Sequence, residues 1–132
     1  MPDTFPLPVT ATTAFILGAL LLLLTLKVVV GRRTKHIVLG DNDDRIFTKH
    51  IRGHGNAAEQ IPMALILLGF VEYLQAPSYA LIIATVLIVG RFMHAAYFSF
   101  HGTHWRFRYY GMLLTIIAQG LALIALLYAL VT

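Results

Sequence analysis

Four long apolar runs, one after another, limit what this chain can fold into. They cover roughly residues 10–30, 57–74, 79–98 and 110–131, and include "AFILGALLLLLTLKVVV" and "ALIIATVLIVG". Each is about 18–22 residues long, the length a helix needs to cross about 30 Å of hydrocarbon. Composition agrees: 12% of the residues are charged, about half the usual share for a soluble domain. The expected fold is an all-α integral membrane protein, a single domain over residues 1–132 whose four helices run up-down-up-down. The first run is not flanked like a signal peptide. "MPDTFPLP" carries no positive charge, and no small-residue cleavage site follows, so this run is expected to be a retained helix. The short "QAPSY" connection makes helices two and three an antiparallel hairpin, and Pro77 suits the first position of a helix.

All the basic residues fall in or near two regions. Lys27, Arg32, Arg33, Lys35, Arg45, Lys49 and Arg52 surround the first loop, and Arg91, Arg106 and Arg108 surround the third. The positive-inside rule then places both loops in the cytoplasm and both termini outside. The net charge of +4 is therefore a topology signal. With no soluble domain to present it, nucleic acid is not an expected partner, whereas anionic membrane lipid is. There is no cysteine, which excludes disulfides, thiolate metal sites and a cysteine nucleophile. Any thiol chemistry must use a thiol that arrives with the substrate.

Charge also appears where hydrocarbon is expected. In "HIRGHGNAAEQIP", Arg52, Asn56 and Glu59 are spaced four and three, which puts them on one helical face. An ionised carboxylate in hydrocarbon is costly unless paired or wet. Glu59 is therefore expected to face the protein interior with an arginine partner. In "GRFMHAAYF", Arg91, His94 and Phe98 share a face, with Tyr97 beside them. "WRFRYYGM" adds Arg106 and Arg108, and the first helix ends in Arg32 and Arg33. Snorkelling to the interface accounts for Arg32, Arg33 and Arg106 but poorly for Arg91. The arrangement suits a cytoplasm-facing pocket for an anion, with one carboxylate able to take a ligand's ammonium group. Arginine matches planar carboxylates by bidentate hydrogen bonds.

The pattern Arg52-x-x-x-Asn56-x-x-Glu59-x-x-Pro62, followed by Arg91-x-x-His94 and an arginine at the head of helix four, resembles the MAPEG family, the membrane-associated proteins in eicosanoid and glutathione metabolism. "LGDNDD" and "IRGHGNAAE" are most similar to its compact bacterial members. The resemblance implies a homotrimer in the bacterial inner membrane. Glutathione would be co-substrate, bound between subunits near the cytoplasmic face, and a lipophilic second substrate would come from the bilayer. Arg52, Asn56 and Glu59 match the family's glutathione-binding triplet. Arg32 or Arg33 matches a basic position ending helix one, and Arg91 and His94 match the helix-three motif. Phe98 falls where several members have a glutathione-contacting tyrosine, with Tyr97 one residue off. Arg108 is the best match to the thiol-activating arginine, and Arg106 competes for that role.

The implied activity is that of a glutathione transferase or peroxidase, in which the bound thiolate attacks a lipophilic electrophile or hydroperoxide. Two other readings stay open: a small four-helix transporter with Glu59 as its coupling carboxylate, and a non-catalytic membrane protein in which these charges form structural ion pairs. No metal or haem is expected. His50 and His54 can share a face and His101 and His104 lie in a loop, but no histidine pair sits mid-membrane on facing helices. "DNDDR" lacks the glycine and terminal glutamate of a calcium loop and reads as a solvated acidic turn. Trp105, Tyr109 and Tyr110 fit the aromatic belt of the membrane interface. Gly111 and Gly120 are expected to permit close helix packing, and Glu72 to lie at the interface.

Overall fold

The computed structural model describes residues 6–132. The N-terminal residues 1–5, expected outside, are not among them. Four helices follow in order: α1 (Pro8–Lys35), α2 (Arg45–Leu74), α3 (Pro77–Ser99) and α4 (Trp105–Val131). All four are long and apolar enough to cross a membrane. They extend beyond the apolar runs that announce them, because helix ends are set by caps and turns as well as by hydropathy.

The largest extension is at the start of α2. Asp44 Oδ1 accepts from the backbone N–H groups of Ile46 and Phe47, both at 3.0 Å, so the helix nucleates at Arg45 on a side-chain cap. The preceding turn uses left-handed backbone at Gly40, Asn42 and Asp43, residue types that tolerate it. Asp41 accepts from the Thr48 hydroxyl at 2.6 Å, and Asp44 pairs with Lys35 from the end of α1. "DNDDR" is thus a hydrogen-bonded turn joining two helices.

At the other end of the bundle, Gln75 and Ala76 alone separate α2 from α3, and Pro77 opens α3. The buried seam of α2 includes Gly53, Ala57, Ile61, Ala64, Leu68 and Val71, with Phe47 and Glu72 buried toward its two ends. Steps of three or four residues keep these six on one helical face, the stripe that packs against neighbouring helices. The facing positions include Leu17, Leu20 and Leu24 of α1 and Ala80, Ile83, Ala84 and Leu87 of α3. Close approaches join α1 to both α2 and α3, and α4 to α2 and α3. None joins α1 to α4 among the described residues. Most other apolar side chains, such as Phe15, Leu81, Ile124 and Leu130, face outward, as they must in a lipid-facing bundle.

The α3–α4 contact is the tightest. Gly111, Thr115, Ala118 and Ala122 form its small-residue stripe on α4, a common route to close packing in membranes. A Cβ at Gly111 would stand 2.5 Å from the His94 backbone nitrogen, and one at Gly90 would stand 2.9 Å from the Gly111 carbonyl oxygen. Gly120, expected to serve the same purpose, has nothing within 4 Å of its hypothetical Cβ among the described residues.

Glu72, expected at the interface, lies two residues before the end of α2 and is buried within the protomer. Its two carboxylate oxygens accept from the backbone N–H groups of Val9 and Thr10, at 2.8 and 2.7 Å. The first turn of α1 has no side-chain cap of its own. A carboxylate from another helix satisfies two of its orphan donors.

Candidate functional site

Because α2 runs unbroken from Arg45, Arg52, Asn56 and Glu59 fall on one face over two helical turns. That face meets a cavity of about 1090 Å³ at the end of the bundle that carries the first and third loops. α3 supplies His94 and Phe98 to its wall, and α4 supplies Arg108. Beside these polar groups, Met112, Leu113 and Ile116 give the cavity an apolar flank. Leu113 and Ile116 are exposed on the outside of the protomer, so the cleft reaches the surface that faces lipid or a neighbouring chain.

Arg91 is brought to the site by a different route. It is fully buried and does not line the cavity. Its Nη1 donates to Asn56 Oδ1 at 3.0 Å, while Nε and Nη2 have no hydrogen-bond partner among the described residues. This bond orients the Asn56 amide. With the carbonyl taken by Arg91, the Nδ2 donors remain to meet an acceptor in the cavity. Arg91 therefore supports a cavity residue from behind. His94, also buried, stacks against Phe98 with ring centroids 4.8 Å apart. Gly53 makes room for Phe98, since a Cβ there would stand 2.6 Å from Phe98 Cβ.

Glu59 is exposed on the protomer, and no arginine pairs with it there among the described residues. The one ion pair among the described residues is Lys35–Asp44. Arg52 is likewise exposed. Both charges are on a helix face that the protomer by itself leaves uncovered.

Several other expected site residues lie elsewhere. Arg32 donates to the carbonyls of Val38 and Gly40, at 3.5 and 3.1 Å, and its guanidinium lies 5.5 Å from the Phe47 ring centroid. Arg33 is exposed near the end of α1. Tyr97 meets Phe98 edge-on at 5.0 Å, and Lys49 Nζ lies 4.1 Å from the Tyr97 ring centroid. Arg106 is outside the cavity wall and lies 6.0 Å from the Trp105 ring centroid. Trp105 and Tyr109, which the sequence suggested only as interfacial aromatics, line the cavity with Arg108. The signal was present in the spacing: Trp105, Arg108, Tyr109, Met112, Leu113 and Ile116 repeat by three and one along a single helical face. Among the described residues no three His, Asp or Glu side chains are grouped to hold a metal.

A four-helix bundle of membrane-spanning length, with a polar cleft at one end and an apolar flank beside it, defines a multi-pass α-helical membrane protein with a candidate site for an amphiphilic or charged ligand. The MAPEG family model matches residues 10–128. Inner membrane protein YecN of Escherichia coli K12 is 36% identical over 121 residues, covering 91% of each chain, and the YecN of E. coli O6:H1 matches to the same extent. The chain belongs to the MAPEG family.

Proposed function

We propose that this protein is a glutathione-dependent transferase or peroxidase of the inner membrane, working as a homotrimer. The observation that carries the reading is the meeting of Arg52, Asn56, Glu59 and Arg108 around one cavity with an apolar flank. Glutathione has two carboxylates, one ammonium group and one thiol. Arg52 and the Asn56 amide supply donors for carboxylate or peptide oxygens, and Glu59 meets the ammonium. Arg108 has no carboxylate partner among the described residues, which leaves it available to the sulfur. The flank of Met112, Leu113 and Ile116 receives the lipophilic substrate. The relatives' names place them in the inner membrane, and the basic first and third loops orient the cleft toward the cytoplasm.

A free thiol has a pKa of about 8.5, so only a few per cent is thiolate at pH 7. A guanidinium beside the sulfur in a poorly solvated cleft favours the thiolate. The thiolate attacks an electrophilic carbon, forming the C–S bond as the leaving group departs with its electron pair. With a hydroperoxide it attacks the terminal oxygen. The O–O bond breaks, the alkoxide takes a proton to become the alcohol, and a second glutathione converts the sulfenic acid to disulfide and water.

Exposure of these charges supports assembly. Arg52 and Glu59 are uncovered on the protomer, and charges so placed in a membrane need protein or water around them. A neighbouring subunit supplies the cover, together with Arg32 or Arg33 from the end of its first helix. Arg91 acts behind the site by holding Asn56, and His94 and Phe98 form the wall.

The test is the ultraviolet thiolate absorbance of glutathione bound to purified protein. Arg108→Ala should abolish it at pH 7, with recovery at higher pH, while affinity stays near wild type. Arg106→Ala should leave it intact. Loss in the Arg106 variant alone would move thiol activation two residues along α4, and no change in either variant would refute thiol activation from this helix.

A further inference from the structure

Phe98 also lines a second cavity, of about 400 Å³, between the first turns of α2 and the end of α3. Its polar wall includes Arg45, Lys49, His50, Ser99 and His101, and among the described residues no carboxylate lines it. The nearby acid, Asp44, is occupied by Lys35 and by the amides it caps. The end of α3 would ordinarily present carbonyls that repel an anion, but several of them are engaged. Ala96 O accepts from the Phe100 amide, Ser99 O from Lys27 Nζ, and Phe100 O from the Thr103 hydroxyl. The cavity is thus left rich in donors and positive charge. Its apolar surface, with Ile46 and Phe100, is exposed on the outside of the bundle.

We propose that this cavity binds the phosphate of an anionic amphiphile, with a membrane phospholipid as the source. Arginine and lysine converge on a phosphate as charge-assisted donors, and basic pockets at a cytoplasmic rim suit anionic headgroups. The phosphate sits among Arg45, Lys49, His50 and His101, and the glycerol and acyl chains pass over Ile46 and Phe100 into the bilayer. A soluble phosphate ester shares the headgroup chemistry but makes no use of the apolar lip. This site is separate from the proposed glutathione cleft and does not depend on it.

The experiment is native mass spectrometry of the full-length protein in mild detergent, titrated with phosphatidylglycerol, phosphatidylcholine, glycerol phosphate and inorganic phosphate. Phosphatidylglycerol should bind more tightly than phosphatidylcholine. At about fivefold per basic side chain near an anionic headgroup, the double variant Arg45→Gln, Lys49→Gln should bind it about 25-fold more weakly. The charge-conserving pair Arg45→Lys, Lys49→Arg should keep the preference, which separates loss of the site from loss of the fold. Arg106→Gln removes one charge away from the cavity and should have little effect on lipid binding, against about fivefold for Arg45→Gln alone. Equal binding of the two lipids, or an equal loss in this control, would overturn the proposal. Glycerol phosphate binding as tightly as phosphatidylglycerol, with the same dependence on Arg45 and Lys49, would sustain the phosphate site and overturn the lipid source.

Discussion

The Glu72 carboxylate caps the backbone of Thr10, sixty-two residues away in sequence, at 2.7 Å, and that of Val9 at 2.8 Å. An acid buried beside apolar helices is held by two amide donors, with no cation paired to it among the described residues. Glu72→Gln keeps the shape but can accept through one oxygen alone. The expected loss is about 1–3 kcal/mol of stability, the range for hydrogen bonds to a charged group. Thermal unfolding in detergent measures it. Glutathione affinity should be unchanged, because the clamp is at the far end of α2 from the cleft. A variant as stable as wild type would mean that the clamp contributes nothing.

Asn56→Asp should act in opposite directions on stability and on binding. Arg91 is a buried cation whose hydrogen bond to Asn56 leaves two of its donor nitrogens unpartnered. A carboxylate at position 56 gives it an ion pair, stabilising the fold by about 1–2 kcal/mol. The same change removes the Nδ2 donors from the cavity and places a negative charge near the glutathione carboxylates, weakening binding by about tenfold or more. Calorimetry and thermal unfolding on the same preparation read both. A parallel rise or a parallel fall contradicts the role given to Arg91.

Glu59→Gln removes the charge offered to the glutathione ammonium. Affinity should fall by about 1–3 kcal/mol. Glu59 has no ion-pair partner in the protomer, so the melting temperature without ligand should stay close to wild type. If unfolding suffers and affinity does not, Glu59 serves assembly and not glutathione.

The loop between α1 and α2 carries a pH dependence. Lys35, then the amides of α2, hold the Asp44 carboxyl below its usual range, and the Thr48 hydroxyl does the same for Asp41. A depressed folded-state value means stability that is present above the ordinary carboxylate range and is lost as pH falls through the lowered values. Unfolding of the α2 start, followed by hydrogen exchange of the Ile46 and Phe47 amides, should therefore become easier below about pH 4. Asp44→Ala should show rapid exchange already at neutral pH, and a flat profile in wild type would exclude the contribution.

Hydropathy made the four helices and their order legible, and i,i+3 and i,i+4 spacing grouped Arg52, Asn56 and Glu59. The spacing also grouped Arg91 with His94, correctly placing both near the cleft. It could not distinguish a residue that faces the cavity from one behind it, because that depends on where α2 lies relative to α3. For the same reason Arg91 and Tyr97 were expected at a ligand. The capping role of Glu72 is not legible in the sequence because its partners are backbone amides, which every residue but proline has and which leave no mark there. The start of α2 was placed late because a polar stretch opened by Asp44 carries its signal in a cap, not in hydropathy.

The two-residue turn at Gln75 and Ala76 bears on how the protein is made. Such a turn leaves the second and third helices no means of entering the bilayer far apart in space or time. Insertion as one hairpin is the expected route, and it would carry Arg91 inward with Asn56 on the neighbouring limb. The contact that orients the cleft would then form within this helix pair, without waiting for the fourth helix.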